Sequence, residues 1–158
     1  MKYSLITAGA ALFLAATPAN AQMVRGQNPD SVAAALRAKG LLADVGKDQS
    51  GDPMIKSQFG GVKWTIFFYN CTDHKECATV QFYAGYHFKD KTIPLEKLNE
   101  WNRNKRFSRA YIDKVNDPVI EMDVDLDDGG MSQALFIDNI EFWQTLMDEF
   151  QDHIGFND

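Results

Sequence analysis

The chain is poor in the residues that most enzymatic chemistry needs. Its three histidines, His74, His87 and His153, stand far apart, so no metal-binding or acid–base pair of the H-E-x-x-H kind is present. Neither a G-x-S-x-G elbow nor a glycine-rich phosphate loop occurs. Lysine and arginine number 16 against 22 aspartate and glutamate, a net charge of −6. That balance excludes general nucleic-acid binding, which rests on neutralising phosphate, and adsorption to anionic lipid. Past the N-terminal stretch no apolar run approaches the roughly 20 residues of a spanning helix. No catalytic residue, metal or cofactor is expected, and an enzyme ranks third among the functional readings.

What is present begins with a processing signal. Lys2 supplies a positive start, residues 5–16 form an apolar core, and Ala19-Asn20-Ala21 fits a small-x-small cleavage site. Residues 1–21 are expected to be a signal peptide cut after Ala21, leaving Gln22 first and residues 22–158 as one domain. Gln22 is not cysteine, which argues against a lipid anchor. The expected location is periplasmic or secreted, with no membrane span in the mature chain. A hydrophobic content of 45%, with 12% aromatic, is ample for a packed core.

The only cysteines, Cys71 and Cys77, flank a polar run, Thr72-Asp73-His74-Lys75-Glu76, that reads as a hairpin loop. In an oxidising compartment the pair is expected to form a disulfide staple worth about 2 kcal/mol on the chain-entropy argument. A redox pair usually has the tighter C-x-x-C spacing, and one histidine with two cysteines lacks a fourth zinc ligand.

Asn28 as N-cap, Pro29 and Asp30 announce a first helix, which Gly40 stops. Strands are predicted over residues 41–47, 54–59, 62–71 and 78–88. The third is apolar on both faces and therefore central; the fourth alternates, with Val80, Phe82, Ala84 and Tyr86 on one face. Pro94 and Glu96 open a second helix that ends at Arg106. Strands 107–115 and 119–127 follow, joined by Asn116-Asp117-Pro118. Phe136, Ile140, Trp143, Met147, Phe150 and Ile154 then recur every three or four residues along a final helix. The order α-β-β-β-β-α-β-β-α, with hairpin-length connections, predicts an α+β domain: an antiparallel sheet flanked by helices.

The carboxylates Glu121, Asp123, Asp125 and Asp127 alternate along one strand and read as a solvated face. A calcium loop started at Asp123 fails at its sixth position, Asp128, and at its twelfth, Ala134. The junction 98–113 draws the most attention, because aromatic residues there are interleaved with cations in an acidic chain. Trp101, Arg103, Arg106, Arg109 and Tyr111 are the candidate partner-binding residues, since Trp, Tyr and Arg dominate interface hot spots. The competing reading puts Trp101 and Phe107 in the core and pairs Arg103 and Arg106 with neighbouring acids.

Gly51-Asp52-Pro53, the Cys71–Cys77 hairpin, Leu98-Asn99-Glu100-Trp101-Asn102, Arg106-Phe107 with Ala110-Tyr111, Asp123 and Trp143 together resemble the YbjN-like family of bacterial proteins. The resemblance covers about residues 28–154 and is closest to exported two-cysteine forms. It implies a fold like that of type III secretion chaperones and a role labelled sensory-transduction regulation, with no enzymatic residues assigned. The leading expectation is a non-enzymatic binding or chaperone-like module for a protein or peptide partner in the bacterial envelope, forming a homodimer. The alternative is a small-molecule or envelope-stress sensor.

Overall fold

The computed structural model describes residues 22–156, so the expected signal peptide, residues 1–21, lies outside the described residues. The elements are β1 (Met23–Val24), α1 (Pro29–Ala38), β2 (Asp44–Lys47), β3 (Pro53–Phe59), β4 (Val62–Tyr69), β5 (Thr79–Gly85), α2 (Leu95–Asn104), β6 (Arg109–Ile112), β7 (Pro118–Asp125), β8 (Met131–Ser132) and α3 (Gln133–Ile154). This is the expected α+β order with two short strands added. β1 and β8 pair only with each other. They are too short for alternation to signal them.

Each element has a local cause. Pro29 starts α1, and Gly40, at φ +78°, ends the segment in the left-handed region that glycine enters without strain. Asn28 does not cap with its side chain as expected. Instead the Ser31 hydroxyl accepts from the Arg25 backbone N–H at 3.0 Å and donates to the Asn28 carbonyl at 2.6 Å. Ser132 caps α3, its hydroxyl accepting from the Leu135 N–H at 3.3 Å. Helix α2 stops at Asn104 rather than Arg106, and β6 starts only at Arg109.

Six strands form one antiparallel sheet in the order β2-β3-β4-β5-β7-β6. Because α2 separates β5 from the β6–β7 hairpin, β7 slots against β5 and leaves β6 at the edge. β4 is interior, as its two-sided apolarity predicts. The strand period of two then sorts side chains by face. Ile55, Trp64, Ile66, Phe68, Val80, Phe82, Ala84, Ile120, Met122 and Val124 enter one buried cluster with residues of all three helices. Every α3 residue of the predicted stripe is in that cluster. Trp143 packs on Trp64 and Phe82, with ring centroids 6.0 and 5.9 Å apart, and Phe136 meets Phe82 edge-on. Each such side chain contributes roughly 1.5–3 kcal/mol by leaving water.

The opposite sheet face has no helix in this core against it. It presents Met54, Lys56, Thr65, Phe67, Tyr69, Gln81, Tyr83, Arg109, Tyr111, Glu121 and Asp123, of which only Gln81 and Glu121 are buried. Cys71 and Cys77 are disulfide-bonded across the β4–β5 hairpin, as expected. Gly26 lies on that hairpin, where an added Cβ would sit 2.1 Å from the Cys77 carbonyl oxygen.

Candidate functional site

The junction between α2 and β6 is a rigid corner. The chain leaves α2 through Lys105, whose N–H donates to the Trp101 carbonyl at 2.8 Å, and turns back through Arg106, Phe107 and Ser108. Phe107 sits at φ +68°, a left-handed conformation uncommon for a bulky residue and held only where its surroundings fix it. Two consecutive α2 residues do the fixing. The Trp101 indole N–H donates to the Ser108 hydroxyl at 3.1 Å. The Asn102 side-chain amide donates to the Ala110 carbonyl at 3.0 Å and accepts from the Ala110 N–H at 2.7 Å. Asn102 thus supplies both bonds that a further strand would make at this position of the sheet edge.

The five candidate residues part company here. Trp101 is 1% exposed, packed against Phe150 with centroids 4.9 Å apart. It supports the corner from beneath and presents no surface to a partner. Phe107, read as core, is 59% exposed, a correction with a plain cause: the left-handed turn takes it out of the strand phase before β6 begins. Its ring meets the half-exposed Phe142 of α3 edge-on at 5.1 Å, and the Arg106 guanidinium lies 5.3 Å from its centroid. Among the described residues neither Arg103 nor Arg106 forms an ion pair; Lys105 does, with Glu149 at 2.9 Å. The pairing expected for those two arginines belongs to their neighbour instead.

Arg109 and Tyr111 point the other way, onto the bare sheet face, where they close over Glu121. Arg109 donates to Glu121 Oε2 from Nε at 2.7 Å, and the Tyr111 hydroxyl donates to Oε1 at 2.6 Å. The Glu121 side chain is 6% exposed and the Arg109 side chain 65%. The hydrogen bond it donates to Glu121 holds the Arg109 guanidinium above its ordinary pKa. Burial, then the bond to Glu121, pushes the Tyr111 phenol well up. Glu121 was read as one of four solvated carboxylates. The hairpin register, Arg109 opposite Glu121 and Tyr111 opposite Val119, is the signal that singles it out.

The histidines remain dispersed. His74 hydrogen-bonds Asp52 at 2.8 Å, His87 lies 3.1 Å from Asp117, and His153 bonds the Lys97 carbonyl at 2.7 Å. No three metal-ligating side chains come together among the described residues.

These features define a class first: an α+β scaffold with a stapled sheet, one face buried under helices, the other bare, and an aromatic, cationic corner. The chain belongs to the YbjN family, described as "Putative bacterial sensory transduction regulator", which it matches over residues 28–156. That description is of regulators rather than enzymes. No curated protein matches the chain. The disulfide is compatible with an oxidising location. No described helix is long and apolar enough to cross a membrane.

Proposed function

We propose that this regulator acts without catalysis, by holding a protein or peptide partner at the Arg106–Phe107–Phe142 corner in the oxidising bacterial envelope. One observation carries the reading: an exposed aromatic pair is held in place by strained backbone, and the core does not need it. Aromatic rings beside arginines are the residues from which interface hot spots are built. Arg103 and Arg106 favour an acidic segment with apolar side chains between its charges. Such recognition of an extended segment is chaperone-like. The N-terminal stretch at residues 1–21, with its signal-peptide pattern, and the Cys71–Cys77 disulfide support export to the periplasm or beyond.

Affinity capture from the native envelope tests this, comparing the wild type with Arg106→Glu, Phe107→Ser and, on the sheet face, Tyr111→Phe. The corner variants are expected to lose the captured partner while Tyr111→Phe retains it. Equal capture by all four proteins, or none by the wild type, would count against the proposal.

A second reading, a small-molecule sensor, is favoured by a hollow of about 410 Å³ beside the free part of β3, lined in part by Leu42, Ser57, Lys63 and Trp64. The buried Ser57 hydroxyl and Trp64 indole N–H there have no hydrogen-bond partner among the described residues. Stabilisation by a metabolite in a thermal-shift screen, abolished by Ser57→Ala, would favour this reading.

A further inference from the structure

Away from the corner, the bare sheet face carries four aromatic rings, Phe67, Tyr69, Tyr83 and Tyr111, none of them buried. The three tyrosines recline on the sheet. The Tyr69 hydroxyl reaches across to Gln81 Oε1 on β5 at 3.4 Å, and that of Tyr111 reaches Glu121. Tyr83 lies along its own strand over Gly85, where an added Cβ would come within 3.3 Å of its hydroxyl oxygen and 3.7 Å of a ring carbon. Gly85 is thus the space into which that ring folds. Val119, between Gly85 and Tyr111 in the register, is fully buried although it lies outside the helix-covered core. Rings laid over it account for that burial; rings standing away from the sheet would leave it wet. Phe67 joins the track, its centroid 6.5 Å from that of Tyr69 and 5.7 Å from that of Tyr83.

At the Tyr69 end of the track is a shallow hollow of about 410 Å³, a volume ordinary for a small-ligand site. Its polar groups are planar and both donate and accept. Gln81, itself 6% exposed, donates from Nε2 to Asp123 Oδ1 at 2.8 Å. Asp123 and Asn70 are exposed, and the Arg109 guanidinium stands at the rim. Glu121, already closed over by Arg109 and Tyr111, offers nothing further.

Reclining tyrosines beside planar polar groups match a pyranose. Its C–H face is apolar and packs on an aromatic ring, while each hydroxyl at its edge wants a donor and an acceptor. Other ligands fit less well. β4, β5 and β7 each have a neighbour on both sides, so a peptide strand finds no free backbone group to pair with here. The open carboxylate of Asp123 repels phosphate and acidic sugars. We propose that this face binds an uncharged glycan chain, its sugar rings laid on Tyr69 and Tyr83 and its hydroxyls bonded to Gln81, Asp123 and Asn70. The track is open along its length, so it takes a chain rather than one enclosed sugar. This binding is separate from the partner held at the corner, and neither needs the other.

Isothermal titration of the purified protein with chitohexaose and with cellohexaose tests this, with amide NMR shifts to locate the site. Saturable binding of at least one is expected, with shifts centred on β4, β5 and β7, and the pair shows whether the acetamido group is read. Tyr69→Ala and Asp123→Ala, both exposed and expected to leave the circular dichroism unchanged, should each weaken binding by roughly tenfold. Gly85→Val should tip Tyr83 off the sheet and weaken it too. Phe107→Ser, at the corner, should leave it intact. No saturable binding of either oligosaccharide overturns the proposal, which is also the outcome if a protein or a second copy of the chain covers this face. So do shifts centred elsewhere, an affinity unmoved by Tyr69→Ala and Asp123→Ala, or an acidic oligosaccharide bound as tightly as the neutral ones.

Discussion

Glu121 shows how far a single residue departs from its pattern. Four alternating carboxylates share a side of β7 and the turn that follows, yet only Glu121 loses its water, because Arg109 and Tyr111 of β6 fold across it. The pair is unequal: the arginine still reaches solvent and the carboxylate does not. Arg109→Ala therefore strands a buried charge, with an expected loss of about 1–2 kcal/mol in urea denaturation, set low because the arginine is largely exposed. Glu121→Gln keeps the shape and one acceptor, and should cost less. A double-mutant cycle in which the two losses simply add would show that the pair is not coupled. Alternation alone could assign Glu121 a face but not a neighbour. The neighbour follows only from hairpin register, which the Asn116-Asp117-Pro118 turn approximates and the folded hairpin settles.

At the scale of elements, two devices hold strands in register and keep the sheet from growing. Asn102 occupies the outer edge of β6 by bonding both polar groups of Ala110, a defence against the edge pairing that leads to aggregation. Asn102→Ala should lose about 1–2 kcal/mol and raise light scattering with concentration. Asn102→Asp, which keeps the acceptor and loses the donor, should fall between wild type and Ala. The Cys71–Cys77 staple closes a short ring across the β4–β5 hairpin. Replacing Cys71 with Ser and Cys77 with Ala should lower unfolding stability by about 2 kcal/mol, and reductant should bring the wild type down to the same level. The staple was readable from the spacing of the two cysteines and the compartment expected for the chain. The edge plug was not, because an asparagine inside a helix carries no mark of the strand it will meet.

For the molecule as a whole, the core imposes a limit at alkaline pH. Tyr86 is fully buried between Phe150 and Phe156, its hydroxyl without a hydrogen-bond partner among the described residues, and burial raises its pKa strongly. A phenol whose pKa is higher folded than unfolded binds its proton more tightly in the native state. Its contribution is intact below the unfolded value of about 10 and is lost as pH rises through the folded one. Global stability should therefore fall steeply above about pH 10. Tyr86→Phe should flatten that decline and leave stability near neutral pH unchanged or improved, since it also removes an unsatisfied hydroxyl. Near-ultraviolet titration followed beside the unfolding midpoint reads both effects.

Periodicity and turn residues were enough to announce the three helices, the main strands, their antiparallel hairpins and the staple, because these depend on neighbours a few residues apart in the chain. They could not say that the helices would all gather on one side. They could not say either that Trp101 would sink beneath the corner while Phe107 rose out of it, or that one carboxylate would be shut away from water. Those outcomes depend on residues 8 to 49 positions apart meeting in space, as Asn102 meets Ala110 and Trp101 meets Phe150. Contacts of that kind leave no period in a sequence, and they create the corner through which this protein is proposed to act.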